Sequence, residues 1–232
     1  MLRRILIPLL LLVHWAHLLQ AESIPVAKQT FHLGTKGAAE WKDFAARTPD
    51  GRNFSLEFDA RENPTEATLF LKQDDVKQGW RISLNGKRLG ELERFESKVL
   101  HTLKIPPKAL RNGKNRFAVT APTAIDDIFI GDVSIINSTR SGALSHSFLE
   151  IEVREQEKGE ALPCRITITD PEGYLMPIEL KPSLRLAIRP GVVYSLDGRA
   201  KPGVLPGEYV VYASRGFEYG VARKRISVKK GE

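Results

Sequence analysis

The segment Trp80-Arg81-Ile82-Ser83-Leu84-Asn85-Gly86-Lys87 decides the fold class of this chain. Its apolar residues Trp80, Ile82 and Leu84 alternate with polar ones, and this period of two is typical of a half-buried β-strand. Asn85-Gly86 follows at once and favours a two-residue hairpin turn, because both turn residues tolerate positive φ. The segment therefore predicts an antiparallel hairpin with one face in a core and Trp80 on that face.

Strands of the same kind fill most of the remaining sequence. Phe54, Leu56 and Phe58 alternate with polar residues, and a second turn is expected at Asn112-Gly113. The apolar run from Ile128 to Ile136 favours a central strand or an interrupted pair. Period-two segments resume after about residue 147, with Pro-Gly and Asp-Gly turns at short spacing. We expect an all-β protein of two consecutive antiparallel β-sandwiches, the first a jelly roll and the second prealbumin-like.

The boundaries follow from composition. Residues 1–21 are predicted to be a secretory signal peptide, because an apolar run follows Arg3 and Arg4 and ends near the small residue Ala21. Residues 24–137 would form the first sandwich, the polar residues 138–146 a linker, and residues 147–232 the second sandwich. We expect a secreted, periplasmic or envelope protein with no membrane span after the leader is removed.

Composition excludes several functional classes. The chain has 232 residues, 35 Lys plus Arg against 28 Asp plus Glu, and a single cysteine. One cysteine cannot form a disulfide framework or a thiolate zinc cluster. The basic excess is spread along the chain, apart from Arg223-Lys224-Arg225 and Lys229-Lys230 near the end. It accompanies no known nucleic-acid-binding motif, so we expect no nucleic-acid partner.

No catalytic constellation stands out, so we predict a protein that is not an enzyme, with no catalytic residue and no metal ligand. His32, His101 and His146 are widely separated and lack ligand spacing. His101 shares a strand face with Val99, Leu103 and Ile105 and is expected to be a satisfied core or edge histidine. Cys164 lies on an apolar strand face as well, which predicts a buried, inert thiol. No cofactor is expected, apart from a structural calcium ion at the acidic pair Asp126-Asp127.

Residues suited to sugar binding are the candidate ligand contacts. A pyranose ring stacks on an aromatic side chain while its hydroxyl groups bond to polar and charged groups. Trp41, in an irregular stretch, is the candidate platform, with Arg81, Asp126 and Asp127 as polar contacts. The alternatives are core packing and the start of a strand. Further aromatic candidates in the second half are Tyr174, Phe217 and Tyr219.

The first half resembles the galactose-binding-like jelly rolls that accompany secreted hydrolases. The resemblance rests on the hairpin segment quoted above and on Leu103-Lys104-Ile105-Pro106-Pro107, Leu110-Arg111-Asn112-Gly113-Lys114-Asn115 and Asp127-Ile128-Phe129-Ile130-Gly131. It implies a β-sandwich, and in that family some members bind sugar while many are structural spacers.

The second half resembles carboxypeptidase-regulatory or transthyretin-like sandwiches. The segments that carry this likeness are Pro163-Cys164-Arg165-Ile166-Thr167-Ile168-Thr169-Asp170, Leu205-Pro206-Gly207-Glu208-Tyr209 and Ser214-Arg215-Gly216-Phe217-Glu218-Tyr219. Together the halves are similar to the non-catalytic N-terminal part of secreted PHP-superfamily metallohydrolases of the CehA/McbA type. No metal ligand of that family can be placed on this sequence.

These resemblances imply a secreted, non-catalytic binding or scaffold module that binds a polysaccharide or accompanies a hydrolase domain. Arg215, Glu218 and Tyr219 are the candidate docking residues for such a domain, with turn stabilisation as their alternative role. Two other functions stay open: the front portion of a metal-dependent hydrolase, and a structural or adhesive envelope protein.

Overall fold

The computed structural model describes residues 23–42 and 47–231. The predicted signal peptide lies outside them. The first nine strands are β1 (Ser23–Ala27), β2 (Phe31–Leu33), β3 (Asn53–Ala60), β4 (Ala67–Asp74), β5 (Arg81–Leu84), β6 (Lys87–Glu91), β7 (Val99–Ile105), β8 (Gly113–Thr120) and β9 (Ile128–Ile136). Helix α1 (Arg140–Leu144) follows. The other strands are β10 (Ser147–Phe148), β11 (Ile151–Glu152), β12 (Cys164–Thr169), β13 (Leu186–Arg189), β14 (Val192–Ser195), β15 (Arg199–Ala200), β16 (Gly203–Val204), β17 (Gly207–Ser214) and β18 (Ala222–Val228).

Strands β1 to β9 form the first sandwich. One sheet has the order β1-β9-β4-β7, with β2 also pairing β9, and the other has the order β3-β8-β5-β6. Side chains from both sheets meet in one core that includes Leu69, Trp80, Ile82, Phe117 and Ile135. The all-β prediction is confirmed, and so is the core position of Trp80. Strand β9 is continuous and central.

The quoted segment forms the predicted hairpin between β5 and β6. Asn85 and Gly86 have φ angles of 52° and 78°, which matches the left-handed conformation that a tight turn requires at both positions. The Asn85 side chain donates to the carbonyl of Ala109 at 2.9 Å and to Asn115 Oδ1 at 2.8 Å. The turn is therefore anchored to the neighbouring loop as well as shaped by its own backbone.

Strands β10 to β18 form the second sandwich. Its main sheet has five strands in the order β13-β14-β12-β17-β18, and the short pairs β10-β16 and β11-β15 lie across one face. The core between them includes Leu149, Ile166, Val193, Val204 and Tyr209. We call the face that carries this core the inner face of the five-stranded sheet, and the opposite one its outer face.

The segment predicted as a linker contains α1. The Thr139 side chain caps the helix by accepting a hydrogen bond from the Gly142 N–H at 3.0 Å. Ala143 packs with Phe70 and Leu100, which lie on the outside of the first sandwich, in a small apolar cluster between the sandwiches. The segment is thus a packed helical turn, whereas the exact domain boundaries stay a prediction.

Backbone hydrogen bonds join the two five-stranded sheets through the dipeptide Leu175-Met176. The Leu175 N–H donates to the Lys98 carbonyl and the Leu175 carbonyl accepts from the Leu100 N–H, both at 2.9 Å. On the other side, the Met176 N–H donates to the Ile168 carbonyl at 3.0 Å. Leu175 therefore acts as a one-residue strand between β7 and the end of β12.

Lys72 on β4 adds an ionic contact across this junction. Its Nζ lies 2.8 Å from Asp132 Oδ2 of the first sandwich, and 3.0 Å and 2.8 Å from carboxylate oxygens of Asp170 and Glu172 of the second. It also lies 4.8 Å from the centre of the Tyr174 ring. Burial lowers the pKa of Lys72, but the three carboxylates outweigh burial and hold it above its usual value.

We expect Lys72→Met to destabilise the protein by about 2 kcal/mol at neutral pH, because the buried Asp170 carboxylate loses its counter-ion. Asp132 and Glu172 are partly exposed, so the loss should be smaller than for a fully buried pair. Since the pKa of Lys72 is raised, its contribution is complete at neutral pH and falls as the pH rises through the folded-state pKa.

The measurement is urea unfolding of both proteins at pH 7. Lys114→Met is the matched control, since Lys114 and its partner Glu57 are both exposed, and its expected cost is less than about 0.5 kcal/mol. Equal effects of the two substitutions would contradict a special role for Lys72.

Candidate functional site

The predicted contact Asp126 lies in the loop before β9 and is buried, with 2% of its surface exposed. Its Oδ2 accepts three hydrogen bonds: from Trp80 Nε1 at 2.8 Å, from the Gln78 N–H at 3.0 Å and from the Lys77 N–H at 3.3 Å. The carboxylate therefore fixes the loop before β5 and satisfies the indole N–H of a core tryptophan.

The two oxygens of Asp126 differ in their surroundings. Oδ1 is buried and has no hydrogen-bond partner among the described residues. Burial raises the pKa of the Asp126 carboxyl above its usual range, although the bonds from Trp80 and the two backbone N–H groups lower it. Protonation of Oδ1 would leave the three bonds to Oδ2 intact.

Asp127 is buried as well, and it fixes a different loop. Its Oδ2 accepts a hydrogen bond from the Glu40 N–H at 2.6 Å, and its Oδ1 lies 3.1 Å from His32 Nε2. A Cβ atom at Gly34 would lie 1.8 Å from Asp127 Oδ1, so only glycine fits beside this carboxylate. The adjacent acidic residues thus bond to different partners and do not act as a pair.

Trp41 follows Glu40 in sequence and is exposed, as expected, with 57% of its surface accessible. The Lys77 ammonium lies 5.9 Å from the centre of its ring and also contacts Asp75 at 2.8 Å and Glu40 at 3.2 Å. The structure therefore brings Trp41 close to the loops that Asp126 and Asp127 hold. Sugar binding by these residues stays a prediction.

Arg81 lies apart from this group. Its side chain is exposed on β5, whereas Ile82 beside it points into the core. No contact joins Arg81 to Asp126 or Asp127 among the described residues. Nor do those residues contain a group of three or more His, Cys, Asp and Glu side chains that could hold a metal ion. Calcium binding at Asp126-Asp127 stays a prediction.

The predicted docking residues Arg215, Glu218 and Tyr219 lie together in the loop between β17 and β18. All three are exposed, and the Arg215 guanidinium lies 5.3 Å from the centre of the Tyr219 ring. Phe217 between them is fully exposed. Docking through this loop stays a prediction.

Cys164 and His101 lie where the sequence analysis predicts them, and Tyr174 does not. Cys164 is buried, and burial raises the pKa of its thiol. His101 Nε2 lies 3.2 Å from the Glu91 carbonyl, so it is a satisfied histidine. The suggestion that Tyr174 is an exposed platform is wrong, because its ring is buried beside Lys72 and Lys98 at the junction of the sandwiches.

Sequence reasoning missed an exposed surface on the outer face of the five-stranded sheet, at the end away from Leu175. A shallow concavity of about 640 Å³ lies there. We call it the arginine–tyrosine face and define it by five residues that line it: Arg165, Arg185, Tyr194, Leu196 and Arg215.

Strand register builds the arginine–tyrosine face. Arg165 lies directly opposite Tyr194 on β14 and Ser214 on β17. Tyr194 has 46% of its surface exposed and Leu196 has 64%. Arg185 forms an ion pair with Asp197, in which the guanidinium lies 3.4 Å from the carboxylate. The face thus combines an open aromatic ring, apolar surface and guanidinium groups.

The signal for this face was present in the sequence. Arg165 stands between the core residues Cys164 and Ile166, and Tyr194 follows the core residue Val193. Alternation alone predicts that both side chains point away from the core. It cannot predict that they are cross-strand neighbours, because the pairing of β12 with β14 depends on the tertiary fold.

Comparisons with known proteins give distant likenesses. No protein-family model and no curated protein matches the chain. The FMN-binding β-glucuronidase from Faecalibacterium prausnitzii L2-6 is 12% identical with a TM-score of 0.34, covering 89% of this chain and 39% of that one. The glycerol-bound GH2 β-galacturonidase from Eisenbergiella tayi is 10% identical with a TM-score of 0.30, and the match covers 89% of this chain and 42% of that one. The adhesin domain of Epf from Streptococcus pyogenes is 8% identical with a TM-score of 0.26, and the match covers 75% of this chain and 71% of that one.

This chain spans about two-fifths of the length of the two glycosidase chains. At these identities and TM-scores the matches carry no argument about a ligand or an activity. The specific resemblance to CehA/McbA-type proteins stays a prediction.

We expect Asp126→Ala to destabilise the protein by about 3 kcal/mol, because it leaves the Trp80 indole N–H and two backbone N–H groups without an acceptor. Asp126→Asn keeps an acceptor oxygen, so it should cost about 1 kcal/mol. Urea unfolding at pH 7 measures both values. Equal losses for the two variants would contradict the acceptor role.

The difference in stability between the native protein and the Asp126→Asn variant should depend on pH, in a direction set by the raised pKa of Asp126. Because the pKa of Asp126 is raised in the folded state, its contribution to stability is complete below the usual carboxyl pKa and is lost as the pH rises through the folded-state value. The native protein should therefore gain stability relative to Asp126→Asn when the pH is lowered from 7 towards 4. A constant difference between the two proteins would exclude a raised pKa.

Proposed function

We propose that this chain is a secreted or envelope-located, non-catalytic module that binds carbohydrate on its arginine–tyrosine face. The observation that carries the proposal is the position of Tyr194, an exposed ring directly opposite Arg165. An aromatic ring stacks on the apolar face of a sugar, and guanidinium groups donate to hydroxyl and carboxylate oxygens.

The shape of the face supports a chain-like ligand. The face is a shallow depression across four strands, and it lies on a rigid sheet. Small molecules favour enclosed pockets that cover most of their surface, whereas a polysaccharide chain can lie along an open surface. Leu196 beside Tyr194 extends the apolar area on which a second sugar ring could rest.

The groups that could act as a nucleophile or acid support a non-catalytic role. The Cys164 thiol is buried and its pKa is raised, which reduces its reactivity. Asp126 and Asp127 are buried and hold loops through hydrogen bonds. The residues that line the arginine–tyrosine face include no carboxylate.

The sequence supports the proposed location and setting. The predicted leader points to export, and the resemblance to the front part of secreted PHP-superfamily hydrolases supports a place beside a hydrolase domain. Phe217, Glu218 and Tyr219 in the β17–β18 loop would then contact that domain, whereas Arg215 lines the arginine–tyrosine face. A purely structural or adhesive role is the alternative, and it predicts no polysaccharide binding.

We expect Tyr194→Ala to weaken polysaccharide binding about tenfold, because the exposed ring supplies the stacking surface. Affinity electrophoresis in gels that contain alginate, polygalacturonate, xylan or a mixed-linkage β-glucan measures retardation of the native protein and of the variant.

Phe148→Ala is the matched control, since Phe148 is similarly exposed, at 43%, and lies outside the face. Trp41→Ala tests the surface that the sequence favoured. Retardation that depends on Trp41 and not on Tyr194 would move the site to the first sandwich, and no retardation in any gel would refute carbohydrate binding.

A further inference from the structure

The outer face of the five-stranded sheet carries arginines at both of its edges. Cross-strand pairs place five residues in one row across all five strands, because each is directly opposite the next. In spatial order the row consists of Arg189, Val192, Thr167, Tyr212 and Arg223. Adjacent strands lie about 4.8 Å apart, so the Cα atoms of the two end arginines are roughly 19 Å apart.

Two further arginines lie on the same face, on either side of this row. Arg165 occupies the next row towards the arginine–tyrosine face, and Arg225 occupies the next row on the other side, opposite Val210. Val192 and Val210 are themselves buried, so the part of the outer face near Leu175 is covered. Since Val192 lies in the row itself, the accessible part runs from the arginine–tyrosine face past Thr167 and Tyr212 to Arg223 on the edge strand β18. Arg189 lies beyond Val192, at the other edge.

These arginines are available for a ligand. Within the part of the chain that the structure describes, Arg165, Arg189, Arg223 and Arg225 make no ion pair, and Arg223 stacks on the Tyr212 ring at 5.6 Å. Among the strand residues of this face, Glu208 is the one acidic residue, and it lies opposite Ser227 near one end. The nearby Asp197 is already engaged by Arg185, and Glu218 lies in the β17–β18 loop. At the β13 edge, Arg189 shares a surface depression with Glu93 of the first sandwich. Positive charge therefore predominates from Arg165 to the β18 edge.

The spacing indicates the kind of ligand. Guanidinium groups on separate strands cannot all reach one small anion, whereas a chain with repeated negative charges can contact several of them. Guanidinium groups bind carboxylates through paired hydrogen bonds, which favours repeated carboxylates over neutral hydroxyl groups.

We propose that the ligand of this face is a polyanionic polysaccharide, a polyuronate, whose carboxylates pair with the arginines while one sugar stacks on Tyr194. This inference rests on the proposed carbohydrate-binding function and adds the charge of the ligand to it. A nucleic acid fits less well, because binding a single strand requires successive open aromatic rings. The Tyr212 ring is already occupied by Arg223, which leaves Tyr194 as the open ring on these strands.

The test compares two ligands that differ only in charge. Calorimetry of the full chain with polygalacturonate and with fully methyl-esterified polygalacturonate separates the carboxylates from the sugar backbone. We expect at least tenfold tighter binding of the charged polymer at low salt, and most of this preference should disappear at ~0.3 M NaCl, where exposed charges are screened. Equal binding of both polymers would overturn the charge inference and leave the proposed function standing.

Matched arginine variants locate the site. Arg165→Gln and Arg223→Gln should each weaken polygalacturonate binding about fivefold or more, and binding of the methyl ester should hardly change. Arg165→Lys should restore part of the loss, because it restores charge without the paired donors. Arg61→Gln, at an exposed arginine of the first sandwich, is the control, and an equal effect there would overturn the assignment of this face.

The remaining outcomes are also distinct. Failure to bind any polysaccharide would refute the proposed function as well as this inference. Binding of a single-stranded DNA oligonucleotide as tightly as polygalacturonate, with the same dependence on Arg165 and Arg223, would show a general polyanion surface and would overturn the choice of a polysaccharide.

Discussion

The contact of Lys72 with carboxylates from both halves of the chain is the constraint on which the rest of the structure depends. Asp132 reaches Lys72 from a bulge on β9, where its φ angle is 42° and the register between β4 and β9 shifts. Asp170 and Glu172 reach it from the turn after β12. A bulge re-aims side chains, and here it turns an acidic residue towards the junction. One ammonium group thereby ties β4 and β9 to the second sandwich.

The junction determines which surfaces of the second sandwich are open. Leu175 continues the hydrogen bonding of β7 into β12, and Val192 and Val210 beside it are buried. The opposite end of the same sheet face has no such cover among the described residues. The position of the arginine–tyrosine face at the far end is therefore a consequence of where the two sandwiches meet.

The local sequence pattern predicts the strands and turns correctly, but it does not predict the partners of buried polar side chains. Alternation placed Trp80 and Cys164 in cores, and Asn85-Gly86 formed its turn, because these outcomes depend on neighbours in sequence. The acidic pair Asp126-Asp127 is a predicted ligand contact that also fits the start of a strand, and both side chains are buried. Their partners are 46 to 95 residues away, Trp80 and His32 among them. No local signal shows that a loop carboxylate has such partners.

The sequence by itself determined the period of two, the hairpin turns, the inward position of core residues such as Ile166, and hence the all-β class. Only the tertiary structure decided which strands are neighbours. It placed Arg165 opposite Tyr194, and it put Arg189 and Arg223 in one row across five strands. The physical reason is that alternation fixes the side of the sheet on which a residue lies, whereas register and strand order depend on contacts between distant segments.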